Sequence, residues 1–374
     1  MPLLQRVLGR LRERWRGLLG TALAGSAVPG TAATLPDDRA EATYHVYDGG
    51  GVRATGPALL VRKSLGDRVA LSAQYYVDAV SNASIDVVTT ASPFKEKRIA
   101  TDFGADWLVG NTTLSLAYNR SEEPDYIAEG VGLDVATEVY GGMTTVSLGF
   151  TRARDLVGQK LAQGWIDRAL HWQYRAGVTQ ILSPRWLVSL NAEAVSDEGY
   201  LGSPYRAARV FGAAVPERNP RTRSSRAVKL RSINDTSAIV PRSSFRAEYR
   251  YYWDTWDVKA HTTEIGVAKH LGTRYTVEAL VRRYSQTKAL FYSDNAQAET
   301  LFVSRNRQLS TFSTTAIGAK LTATWPGATA GTELRVTGSV ERKQFRFSDF
   351  TDLRTGRPYA YDANVLQLVV SGSF

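Results

Sequence analysis

The sequence predicts an all-β fold, a closed antiparallel transmembrane β-barrel of about sixteen strands with short periplasmic turns and long extracellular loops. Three observations predict it. Apolar and polar residues alternate with period two, tight and long connections follow one another in turn, and the last segment places Leu366, Leu368, Val370 and the terminal Phe374 on one face.

The chain opens with a segment of different character. Arg6, Arg10, Arg12, Arg14 and Arg16 precede the apolar stretch Leu18 to Val28 and then Pro29-Gly30-Thr31-Ala32-Ala33, the order of a cleavable secretory signal over residues 1–33. Residues 34–374 are then the barrel. The signal's five Arg and one Glu account for four of the ten net positive charges of the 374-residue chain, so the remainder stays basic at +6.

The clearest strand is Ser244 to Trp253, where Phe245, Ala247, Tyr249, Tyr251 and Trp253 share one face and Arg246, Glu248, Arg250 and Tyr252 the other. Val69, Leu71, Ala73, Tyr75 and Val77 alternate in the same way with Ser72, Gln74 and Asp78, and Trp186, Val188, Leu190 and Ala192 with Ser189, Asn191 and Glu193. Leu334, Val336 and Val340 alternate with Glu333, Arg335 and Glu341. These segments run to ~9–11 residues or more, the length that crosses a bilayer at a tilt, whereas strands of soluble sandwiches are usually ~5–6 residues long.

Seven tight connections follow: Leu65-Gly66-Asp67-Arg68, Val109-Gly110-Asn111-Thr112, Tyr140-Gly141-Gly142-Met143, Leu182-Ser183-Pro184-Arg185, Val240-Pro241-Arg242, Leu271-Gly272-Thr273-Arg274 and Trp325-Pro326-Gly327. Gly, Asn, Asp and Pro supply the backbone angles of hairpins. Eight longer connections are expected near 49–55, 80–96, 121–133, 153–165, 197–223, 254–258, 287–305 and 347–361. Seven turns and eight loops join sixteen strands, with both termini periplasmic and the protein in the bacterial outer membrane.

Composition removes whole classes of chemistry. With 43% hydrophobic residues and no run near ~18 apolar residues, no transmembrane helix is expected. Cysteine is absent, which excludes disulfides, thiolate metal sites and iron–sulfur ligation. Lys and Arg alternate with apolar residues without clustering in a binding motif, so nucleic acid is not an expected partner. Gly49-Gly50-Gly51 lacks the Gly-Lys-Ser/Thr ending of a phosphate loop and reads as a tight turn. His45 near Asp48 is the best base candidate, but no Gly-x-Ser-x-Gly segment accompanies it, and an enzyme is not expected.

Two constellations stand out. Asp48, Asp78 and Asp86, with Glu96, Glu122, Glu123 and Asp125, collect at the outer strand ends and could hold a divalent cation there, since hard cations take several oxygen ligands. A solvated rim, or one bridged by ions to lipopolysaccharide, is the competing reading. Arg221 and Arg223 in the longest loop, with Arg246 and Arg250 on a polar strand face, would make a basic lumen that favours anions or an acidic partner. The competing reading pairs the lumen arginines with Glu248, Glu264 and Glu278. Tyr47, Trp107, Trp165, Trp172, Trp186, Trp253, Trp256 and Trp325 read as an interfacial girdle or lumen packing. No cofactor is expected on this chain.

Several strings resemble a domain-of-unknown-function family of Gram-negative outer-membrane proteins. They include Tyr47-Asp48-Gly49-Gly50-Gly51-Val52, Tyr75-Tyr76-Val77-Asp78 and Ala83-Ser84-Ile85-Asp86-Val87 in the first half. In the second half they include Pro220-Arg221-Thr222-Arg223 and Glu248-Tyr249-Arg250-Tyr251-Tyr252-Trp253-Asp254-Thr255-Trp256. The resemblance covers nearly all of residues 34–374 and implies the barrel fold and outer-membrane location. Genes of that family neighbour those of thioredoxin-like proteins, a small lipoprotein and a flavin-attaching transferase, which implies an envelope redox pathway and extracellular electron transfer. The expected function is a passage, either an open porin-like channel or a sheath for a small periplasmic lipoprotein. The alternative is a barrel enzyme or surface-binding scaffold with an inert lumen. Expected partners are lipid, lipopolysaccharide, the barrel-assembly machinery and that lipoprotein.

Overall fold

The computed structural model describes residues 34–82, 94–158, 164–327 and 331–374. The expected signal segment 1–33 and Asp86 lie outside the described residues. The first nine strands are β1 (Arg39–Gly49), β2 (Val52–Leu65), β3 (Val69–Asn82), β4 (Phe94–Val109), β5 (Thr112–Glu123), β6 (Tyr126–Val139), β7 (Thr144–Gly158), β8 (Ile166–Ser183) and β9 (Trp186–Gly199). A small hairpin, β10 (Ala207–Val210) and β11 (Ala213–Pro216), interrupts the series. The wall resumes with β12 (Thr222–Asp235), β13 (Ser243–Asp254), β14 (Lys259–Leu271), β15 (Tyr275–Gln286), β16 (Phe312–Pro326), β17 (Glu333–Asp352) and β18 (Arg357–Ser373).

The sixteen long strands form one closed antiparallel barrel in which each pairs with its sequence neighbour, β9 with β12 across the inserted hairpin, and β18 with β1. Closure runs over the full length of β1, from Arg39 opposite Ser373 to Gly49 opposite Ala363. A closed ladder leaves no edge, which is what a sheet in hydrocarbon requires because lipid offers the backbone no hydrogen bonds.

The alternation decides which way each side chain points. Leu59, Phe103, Leu148 and Ile317 stand outward and are 54%, 56%, 61% and 62% exposed, part of an apolar belt that runs around the wall. Exposure of so much apolar surface is intelligible only where lipid covers it. Tyr249, Leu190, Leu71 and Leu334 belong to that belt as the sequence pattern anticipates, and so do Leu366 and Leu368 of the final strand.

All seven tight connections fall at the end of the barrel that carries both chain ends, here the turn end. Gly66, Gly110 and Gly272 sit there at φ +69°, +58° and +61°, the left-handed region where any side chain is strained. Before β1, the carboxyl of Asp38 accepts hydrogen bonds from Lys63 and from the Ser64 backbone, which hold its pKa down at about 2.

Several of the connections at the opposite, loop end are shorter than expected, while the one after β15 is longer and runs over 287–311. Strand persists through 52–55, 126–133, 153–158 and 347–352, and resumes at 357, so several expected loops are tall barrel wall. The pattern fades there for a physical reason. Beyond the belt the outward face turns polar while the inward face of β17 and β18 turns aromatic, so the apolar face changes sides and the period-two signal cancels.

Candidate functional site: a roofed, charge-paired lumen

The inner face of the wall is polar at mid-height and the charges there meet across strands. Arg246 of β13 reaches Glu264 of β14 at 2.6 Å, and Arg282 of β15 reaches the same carboxylate at 2.5 Å and Glu341 of β17 at 3.4 Å. Lys343 continues the chain to Glu341 at 3.3 Å. Nearby, Arg231 pairs with Glu248 at 2.7 Å and Lys320 with Glu278 at 2.5 Å. On the opposite side, Arg175 grips Asp134 at 2.8 Å, and Arg62 pairs with Asp106. The side chains of Arg246 and Arg282 stay 34% and 33% exposed although they point to the barrel centre, so a hydrated hollow lies inside.

Two histidines are tied into the same face. His45 Nε2 lies 2.6 Å from Asp78 Oδ1, Tyr76 donates to that oxygen at 2.8 Å, and the His45 and Tyr76 rings stack at 5.1 Å. Gly56 stands opposite His45 on β2, and a Cβ there would meet the Val77 carbonyl oxygen at 1.8 Å, so glycine permits the close approach of β2 and β3. His171 lies between two carboxylates, with Nδ1 2.6 Å from Asp197 and Nε2 2.9 Å from Asp155. Both histidines are strand side chains locked by acidic partners.

At the loop end the lumen is roofed. The segment 287–311 folds back so that Arg307 lies over the inward-facing rings of Tyr359 and Tyr361, at 5.5 and 5.4 Å. Arg305 lies 4.3 Å over Phe350 and donates to the Thr351 carbonyl. Tyr292 donates to the Asp349 carbonyl, and burial pushes its phenol pKa upward. The hairpin β10–β11 joins this segment: Phe211 N donates to Ala296 O, and Arg218 and Val303 exchange backbone hydrogen bonds. Tyr205 carries the roof to the β5–β6 turn by donating to Asp125. Ser304 and Ser310 are 0% exposed, and Phe312, Phe345, Phe347, Phe350 and Tyr359 form an aromatic cluster beneath.

The residues singled out by sequence are placed as follows. Arg221 makes a bidentate pair with Asp167 at 2.8 and 2.9 Å. Arg223 is fixed by Asp254 at 2.6 Å and by the Trp256 ring at 4.6 Å. Arg246 and Arg250 do point inward, but Arg246 meets Glu264 and Arg250 meets Glu193 at 3.8 Å. The basic lumen is therefore corrected to a charge-paired one: among the described residues each of the four arginines faces a carboxylate. Glu264 is the partner the competing reading named for the lumen arginines.

Asp48 and Asp78 do not come together, because Asp48 lies on the outward face opposite Arg53 and Asn364 whereas Asp78 is buried inward. His45 pairs with Asp78, across the β1–β3 side of the wall, and not with Asp48, its near neighbour in sequence. Among the described residues no three His, Asp or Glu gather as a metal set. Trp107, Trp186 and Trp253 stand outward as a girdle requires, but Tyr47 packs into the aromatic cluster and Trp256 is buried in the roof. Sequence reading missed the roof, although the frequency of Phe, Tyr and Leu in 287–311 was a signal that this connection is packed and not solvated.

Fold and lumen define the chain as a transmembrane β-barrel. Its sequence over residues 159–337, just under half its length, matches a family described as a protein of unknown function (DUF3570). That span contains the Pro220–Arg223 and Glu248–Trp256 strings, and the strings of the first half fall outside it. No curated protein matches. Among solved structures, a bacterial polysaccharide outer membrane secretin aligns with 91% of this chain and 100% of its own at TM-score 0.52 and 10% identity. A FadL homologue from Pseudomonas aeruginosa aligns with 94% of this chain and 96% of its own, at TM-score 0.44 and 11% identity. The siderophore receptor PirA from the same organism aligns over 91% and 85%, at 0.43 and 10%. At such identities the likeness is one of fold.

Proposed function

We propose that this protein is an outer-membrane passage for polar cargo, with a hydrated, charge-balanced lumen that opens at the turn end toward the periplasm and is gated at the loop end by the packed roof. The observation that supports it is the contrast in exposure along the lumen. The mid-wall arginine side chains stay a third exposed, whereas Ser304 and Arg307 of the roof are 0% and 5% exposed. A hollow sealed at one end is a gate's resting state, and alternating charges favour hydrated solutes without holding them tightly.

The sheath reading has its own support. Every turn-end connection among the described residues is short, which leaves that mouth free to admit a small lipoprotein, while the roof keeps it from leaving. Any redox carrier would belong to that partner, since this chain has no Cys. Single-channel recording separates the cases. The intact barrel should conduct little, and replacing Ala207–Pro216 with a short Gly-Ser linker should raise conductance severalfold. A large conductance in the intact barrel sinks the gate. A low conductance that persists when 287–311 is also replaced by a short Gly-Ser linker sinks the open lumen, and co-purification of a small partner from cells then establishes the sheath.

A further inference from the structure

Among the described residues, exposed cations gather on the outside of the wall at the loop end. At the loop end the outward face changes abruptly where the apolar belt stops: on β15 Val281 gives way to Arg283, and on β17 Val340 gives way to Arg342, Gln344 and Arg346. Strand pairing sets Arg283, Thr315, Gln344 and Asp362 in one row across β15, β16, β17 and β18, about 14 Å wide at the usual strand spacing. Arg342 and Arg346 lie one pleat to either side of that row, 64% and 51% exposed, and both reach Asp362, at 2.9 and 3.1 Å. Arg283 is held by the Thr315 hydroxyl at 2.6 Å. Two guanidiniums thus share one carboxylate, and Arg283 adds a third cation beside them. The next outward carboxylate, Asp48, faces Arg53 across the β1–β2 pair and adds no negative excess.

We infer that this patch is a binding site for the phosphorylated glycolipid of the outer leaflet, the lipid A portion of lipopolysaccharide. Arginine forks suit phosphate oxygens, and Thr315, Gln344 and Asn364 supply neutral hydrogen-bonding groups between them. Arg342 and Arg346 are four residues apart on one strand face, about 13–14 Å along the backbone, and their guanidiniums converge on Asp362, so that together they frame one phosphate seat. Immediately below, Ile317, Val281 and Leu366 are 62%, 50% and 48% exposed, a surface for acyl chains attached to the same headgroup. The order of chemistry along the wall, apolar then cationic, matches that of a membrane lipid bearing phosphates at its sugar end. Other strands repeat it: Phe150 is followed outward by Arg152 and Arg154 on β7, and Val228 by Arg226 on β12. The inference rests on the loop end facing the cell exterior, but not on what the lumen passes.

The test uses the full-length barrel in detergent, with bound lipid read by native mass spectrometry. The probes are bis-phosphorylated lipid A, the same lipid stripped of its phosphates, and phosphatidylglycerol. The wild type should bind bis-phosphorylated lipid A at least about tenfold more tightly than the stripped form. The Arg283→Gln/Arg342→Gln/Arg346→Gln variant should lose that preference, while Lys269→Gln at the turn end keeps it. If the triple variant does not fold, Arg342→Gln and Arg346→Gln singly should each lower the preference. Equal binding of phosphatidylglycerol and lipid A by the wild type, or an undiminished preference in the folded variants, overturns the site.

Discussion

Strand β17 carries two chemistries on its two faces. Inward, Glu341 meets both Lys343 and Arg282, so that charge is answered by charge inside the lumen. Outward, one step away in sequence, Val340, Arg342 and Arg346 pass from lipid-facing aliphatic to exposed cation, with Asp362 as their shared carboxylate. The difference teaches that a basic sequence need not make a basic lumen. A narrow hydrated hollow penalises unpaired charge, so cations and carboxylates are interleaved there, while surplus positive charge is placed where headgroups and counterions can neutralise it.

Substitutions can break this contrast in order of expected effect. Leu368→Arg puts a cation in the apolar belt and should destabilise the inserted barrel by about 2–4 kcal/mol, whereas Gln367→Arg, pointing inward on the same strand, should be tolerated. Comparison of the folded, unboiled gel band for the two variants checks the orientation of the wall, and equal loss in both contradicts it. Next in size is Glu264→Gln, which leaves Arg246 and Arg282 facing a neutral amide. With both arginine side chains a third exposed, solvent should limit the cost to about 1–2 kcal/mol, read as a lower temperature for conversion to the unfolded band.

Smaller again, Tyr205→Phe removes the roof's hydrogen bond to Asp125 and should cost about 1 kcal/mol locally. It should speed proteolysis within 199–222 without changing the barrel's melting, and unchanged proteolysis would argue that the roof is held elsewhere. Smallest is Asp362→Asn on the outer face, expected to change stability by under about 0.5 kcal/mol because its partners are exposed. A larger loss there than for Glu264→Gln would reverse the ranking of the two faces.

Much of the fold was legible in the sequence because lipid enforces a strict rule on alternate residues. Phe245 to Trp253, Leu366 to Val370 and the seven glycine- or proline-marked turns obey it, and with them the strand number and the facing of Arg246 and Arg250. Above the belt the rule lapses, which is why the tall stretches 126–133 and 347–352 read as loops. Partners were legible only in part. Glu264 beside Arg246 follows from adjacent strands in register, but Asp78 beside His45 depends on contact across β2, which glycine at 56 permits and no spacing announces. The contacts of the roof were missed because those such as Arg218 with Val303 and Tyr205 with Asp125 join segments about 80 residues apart.

The central claim is that charge in the lumen is balanced and the positive surplus lies outside. The reversal potential of the barrel with Ala207–Pro216 replaced by a Gly-Ser linker, measured across a potassium chloride gradient at low ionic strength, tests it most directly. A value near zero, little altered by Asp362→Asn but shifted toward anion preference by Glu264→Gln, is the predicted result. Strong anion selectivity before any inner-face substitution would contradict the account.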